Sequence, residues 1–99
     1  MVTAEKLAVA QTVPATRAVL VVDDDAAVRA LTQRVLTESG LACDLAGGGR
    51  RGLELAAATP YDLILLDIAL PDMGGDAVLR RIRNASRARH QKVVVFSGN

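Results

Sequence analysis

The sequence predicts an α/β domain, a doubly wound sheet of parallel strands with helices on both faces. Three observations carry this. "AVLVV" (Ala18–Val22) and "LILL" (Leu63–Leu66) are apolar runs without alternation, the composition of strands covered on both sides. Stretches with helical spacing separate these runs and a third at "VVVF". The connections are short, so the order reads βαβαβαβ, which calls for a parallel sheet with right-handed crossovers.

Each element has its own reason. Residues 1–17 lack a clear period and are read as an N-terminal arm; "TAEKLAVAQTV" could make two helical turns before Pro14, but with poor caps. After the first strand, Val28, Leu31, Val35 and Leu36 fall at helical spacing, with Asp25 as N-cap and Gly40 as the C-terminal stop. "LACDLA" alternates weakly as a second strand and "GGG" breaks it. "RRGLELAAATP" then places Leu53 and Leu55 on a brief helix ended by Pro60. "YDLILLDIALP" is the most apolar segment, so the third strand, from about Asp62 to Asp67, belongs at the centre of the sheet. Val78, Leu79 and Ile82 give an apolar face to a third helix over roughly Gly75 to Ala85, and "KVVVF" is the fourth strand.

Composition bounds the function. Ninety-nine residues, 51% hydrophobic and 23% charged, make one small globular domain. A chain of this size buries only about two thirds of its unfolded surface, so losing one element would weaken it. The net charge of +1 gives no bulk attraction to nucleic acid or membrane. The apolar runs are too short to span a bilayer, and no basic-then-apolar signal opens the chain, which implies a cytoplasmic protein. The single Cys43 cannot form an internal disulfide, and neither it nor the single His90 has metal-ligand spacing around it.

In such sheets ligands bind beyond the carboxyl ends of the strands. The residues there are Asp23, Asp24 and Asp25 after strand 1, Asp67 after strand 3 and Ser97 after strand 4. Carboxylates from two adjacent central strands raise one another's pKa unless a cation neutralises them. An all-oxygen set of this kind suits Mg²⁺ better than Zn²⁺. Asp25 reads as a helix cap, whereas Asp23, Asp24 and Asp67 together need a further reason.

"VLVVDDD" followed by a helix, "YDLILLDIALPDMGG" with its Asp-x-x-x-Pro spacing, and "VVVFSGN" together resemble the receiver domain of two-component response regulators, the family of the chemotaxis protein CheY. The resemblance covers residues 18–99 and implies a flavodoxin/CheY-like strand order of 2-1-3-4. It implies further that Asp24 and Asp67 ligate Mg²⁺ directly, that Asp23 acts mostly through water, and that the backbone carbonyl of Ala69 completes the protein's share. Asp67 would accept a phosphoryl group from a sensor histidine kinase or phosphotransfer protein. Ser97 would bind the phosphoryl oxygen as the switch.

The family pattern continues beyond these 99 residues with a fifth strand, a Lys at its end and a fifth helix, so residues 18–99 are expected to be an incomplete receiver domain. Of the two lysines, Lys6 lies in the arm and Lys92 starts strand 4, about 16 Å from the site at roughly 3.3 Å per residue. Losing one donor aimed at a transferring group costs about 10²- to 10³-fold in rate, so phosphorylation is expected to be impaired. An unpaired apolar strand 4 is expected to promote self-association. The alternative function is a phosphorylation-incompetent, receiver-like fragment that binds protein or itself.

Two other signals are read as structural. Arg80, Arg81, Arg83, Arg87 and Arg89 lack the aromatic or helix-turn-helix features of a nucleic-acid site and read as a solvated helix face. "GGGR" (Gly47–Arg50) lacks the Lys and Ser/Thr of a P-loop and reads as a turn. A hydrolase of the haloacid dehalogenase type, with an Asp nucleophile, would want a second acid where Ala69 stands.

Overall fold

The computed structural model describes residues 18–85 and 91–96. The expectations for the arm at 1–17 and for Lys6, Arg87, Arg89, His90 and Ser97 fall outside the described residues. Four parallel strands, β1 (Ala18–Val22), β2 (Ala42–Ala46), β3 (Leu63–Asp67) and β4 (Val93–Phe96), form one sheet in the order β2-β1-β3-β4. The helices α1 (Ala26–Glu38), α2 (Gly49–Ala58) and α3 (Gly75–Asn84) connect them. The doubly wound α/β expectation and the order 2-1-3-4 are met, with element ends within about a residue or two of the sequence reading. "GGGR" is turn only in part, because Gly49 and Arg50 already belong to α2.

Local chemistry explains the ends of α1. Asp25 Oδ1 accepts the amides of Ala27 at 2.9 Å and Val28 at 3.2 Å, satisfying two N–H groups that the helix cannot pair internally. At the other end Gly40 adopts φ +85°, and the amides of Gly40 and Leu41 donate to the carbonyls of Thr37 and Leu36 at 3.0 Å each. That paired return is the Schellman motif, and the left-handed residue favours glycine.

Parallel register assigns the side chains to faces. Leu20 pairs with Ile64 and Val22 with Leu66, and these four form the core with Ala46, Tyr61, Val78 and Ile82 beneath α2 and α3. α1 packs on β1 and β2 from the other side and is the one described helix there. Here the structure corrects the sequence reading. No residue of α1 is buried, and of Val28, Leu31, Val35 and Leu36, whose helical spacing would form an apolar face, the first three are exposed. The more covered positions are Arg29, Thr32, Gln33 and Leu36. A periodic stripe is buried only where another element lies against it, and among the described residues none does. No described helix is long and apolar enough to cross a membrane.

Candidate metal centre at the carboxyl edge of the sheet

β1 and β3 are neighbours in register through Val22 and Leu66, so the next residue of each chain, Asp23 and Asp67, emerges side by side. With Asp24 they form a cluster in which one oxygen from each carboxylate lies within 4.8 Å of the others. Among the described residues Asp23 and Asp67 are the buried charged ones, only 2% and 4% exposed, whereas Asp24 is exposed. The structure thus brings together the three acids that the sequence reading singled out.

Each buried carboxylate is half committed. Asp23 Oδ1 accepts the Asp25 amide at 2.9 Å, and Asp67 Oδ1 accepts the Ala69 amide at 3.0 Å. Among the described residues the second oxygen of each acid accepts no hydrogen bond. Burial pushes the Asp23 carboxyl above its ordinary value. The Asp25 amide works against that rise, and the charges of Asp67, Asp24 and Asp25 add to it. No ion pair among the described residues neutralises the cluster. Three clustered carboxylates with no side-chain cation paired to them among the described residues fit a hard divalent ion with oxygen ligands, which is the chemistry of Mg²⁺.

The loop from β3 to α3 carries Ala69, two residues beyond Asp67. The Gly75 amide donates to the Ile68 carbonyl at 3.0 Å and closes this loop. A Cβ on Gly75 would stand 2.5 Å from Ile68 Cα and 2.8 Å from the Asp67 carbonyl oxygen, so the close approach requires glycine. Lys92 precedes β4, and its carbonyl accepts the Ile64 amide, whereas Asp67 pairs with Phe96 at the other end; Lys92 starts at the wrong end of the sheet to reach the acids.

Two contributors escaped the sequence reading. Arg29 donates from Nη1 to the Asp23 carbonyl at 2.7 Å and pins the β1–α1 loop from within α1. Its position one turn into the helix after three acids was an available signal. Asp72 accepts two amides at the start of α2, and nothing local in the sequence indicated it.

The model of the response regulator receiver domain matches residues 19–99. The chain belongs to that family. The Escherichia coli K12 transcriptional regulatory protein CusR is 41% identical over 68 residues, which are 69% of this chain and 30% of CusR. The sensor histidine kinase AtsR of Burkholderia thailandensis is 37% identical over 79 residues, 80% of this chain and 13% of AtsR. This receiver domain therefore spans under a third of these curated relatives. Among solved structures, the response regulator TrrA of Thermotoga maritima, crystallised in complex with Mg²⁺-BeF, matches with TM-score 0.79 and 31% identity over 85% of this chain and 71% of that one. A CheY-like receiver domain from Methanospirillum hungatei JF-1 matches with TM-score 0.79 and 28% identity over 85% of this chain and 66% of that one.

Proposed function

We propose that this receiver domain accepts a phosphoryl group on Asp67 from a sensor histidine kinase or phosphotransfer protein, in the cytoplasm and with Mg²⁺. The observation that carries the reading is the acid cluster, in which Asp67 keeps one oxygen on the Ala69 amide while the other accepts no hydrogen bond among the described residues. Asp24 and Asp67 would hold the ion directly, Asp23 would hold it through water, and the Ala69 carbonyl would add a backbone oxygen. When bound, the ion supplies positive charge against the equatorial phosphoryl oxygens.

The second oxygen of Asp67 attacks the phosphorus in line. A P–O bond forms as the P–N bond to the donor's imidazole breaks, and the electron pair returns to that nitrogen. The product is an acyl phosphate on Asp67, and Ser97 is assigned the hydrogen bond that reads it out. Burial holds the Asp23 carboxyl above its ordinary value, and a nearby cation would favour its charged form. The test is incubation with a small acyl-phosphate donor and Mg²⁺. A phosphoryl mass gain located at Asp67, absent in Asp67→Asn and in chelator, is expected; labelling that persists in Asp67→Asn would sink the assignment.

A second use has its own observation. β4 lies at the edge of the described sheet and exposes Val94 and Val95, so self-association through this strand is the alternative role. A monomer by light scattering at micromolar concentration would exclude it.

A further inference from the structure

The N-terminus of α2 has no cap of its own. Its N-cap is Gly48, which offers no side chain, and no acid stands in the first turn. The cap comes instead from the β3–α3 loop: Asp72 Oδ1 accepts the Gly49 amide at 2.9 Å, and Oδ2 accepts the Arg50 amide at 3.1 Å. Both oxygens are used, and the carboxylate meets the positive end of the helix dipole. These bonds pull the Asp72 carboxyl below its ordinary value, the Gly49 amide first and the Arg50 amide second.

The glycines leave room for the clamp. A Cβ on Gly48 would stand 3.0 Å from both Asp72 carboxylate oxygens, and one on Gly49 would stand 2.9 Å from Met73 Cβ and from Val78 Cγ2. The turn before α2 is therefore seated on the loop that leaves Asp67. That loop is also fastened to itself, by the Ala69 amide on Asp67 and by the Gly75 amide on Ile68. Of these side-chain and backbone fastenings, the Asp72 bonds are the ones that tie it to another crossover.

We infer that Asp72 is a positioning residue for the metal centre: by bridging the first two amides of α2 it fixes the loop that presents Asp67 and Ala69. The inference rests on the Mg²⁺ reading given above. A group that orients metal ligands without touching the metal typically controls about 10- to 100-fold in affinity. Asp72 lies several residues from the ligands, so the lower end applies.

The test is Mg²⁺ titration of the full chain by calorimetry, with the Gly49 and Arg50 amide signals followed by NMR. Asp72→Ala should bind Mg²⁺ about tenfold more weakly, and Asp72→Asn, which keeps one acceptor, should fall between it and the unaltered chain. In the unaltered chain the Gly49 and Arg50 signals should move with Mg²⁺, and in Asp72→Ala they should not. Tyr61→Phe, which removes the Tyr61–Asp44 hydrogen bond before β3, should leave the affinity unchanged and so control for a general loss of stability. Equal affinities in the unaltered chain and both Asp72 variants would overturn the positioning role and leave the metal reading standing. No Mg²⁺ binding by the unaltered chain would overturn the metal reading and this inference with it. If Asp72→Ala does not fold, Asp72→Asn decides.

Discussion

The two faces of the sheet are both rich in aliphatic side chains, yet they reach different states. Beneath α2 and α3, Leu20, Val22, Ile64, Leu66 and Val78 are fully withdrawn from water. On the α1 side Val19 and Val21 of the central strand are covered as well, but Leu31 on the helix is 63% and Val35 54% exposed, and Val94, which pairs with Leu65 on that face at the edge of the described sheet, is 49% exposed. Burial is thus a property of opposed elements, because an apolar side chain gains by leaving water only where another surface replaces the water.

The largest expected effect lies on the sealed face. Ile64→Ala deletes methyl groups from a fully buried site and leaves a cavity, and should cost about 2–5 kcal/mol in urea denaturation. A cost below about 1 kcal/mol would mean that the sealed face is as loose as the other. Next comes Gly75→Ala, where the added methyl meets backbone atoms that cannot turn aside, 2.5 Å away at Ile68 Cα. Overpacking of this kind should cost about 1–3 kcal/mol. The same substitution should weaken Mg²⁺ binding, since Asp67 and Ile68 must move to relieve it.

Much of this contrast was not legible in the sequence. The strands, the turn chemistry at Asp25 and Gly40 and the acids at the ends of β1 and β3 were readable, because each depends on neighbouring residues or on the strand period. The direction of α1 was not. Val28, Leu31, Val35 and Leu36 announce a stripe, but a period of 3.6 names no partner, and only Leu36 of the four is half-buried on the side with Arg29, Thr32 and Gln33. Asp72 was also invisible, because its partners at Gly49 and Arg50 stand 23 and 22 residues away. Local capping rules find a cap on its own helix.

The carboxyl edge carries the same contrast into pH dependence, with opposite signs at two acids. Asp72 is held below its ordinary value of 3.8, so its contribution is fully present above that pH and is lost as pH falls through the lowered folded value. Asp23 is raised from 3.8, first by burial. Its folded form keeps the proton to higher pH than the unfolded form, and stability falls as pH rises from 3.8 through the raised value. In chelator, urea midpoints measured across pH should therefore show Asp23→Asn more stable than the unaltered chain at neutral pH. Asp72→Asn should lose its deficit toward the acid limit. Mg²⁺ should abolish the advantage of Asp23→Asn, because the bound ion offsets the cost of a buried carboxylate. An Asp23→Asn variant less stable than the unaltered chain in chelator would reverse the sign argued for that edge.

The smallest expected effect closes the comparison from the exposed face. Leu31 already stands largely in water, so Leu31→Ala gives up little burial, and alanine is the stronger helix former. The urea midpoint should move by no more than the equivalent of about 0.5 kcal/mol, the range of surface substitutions. A loss near that of Ile64→Ala would mean that something covers this face in solution. Repeating the measurement over a hundredfold range of protein concentration then separates the sources: a deficit that grows with concentration assigns the cover to a second copy, and a constant deficit assigns it to the same chain.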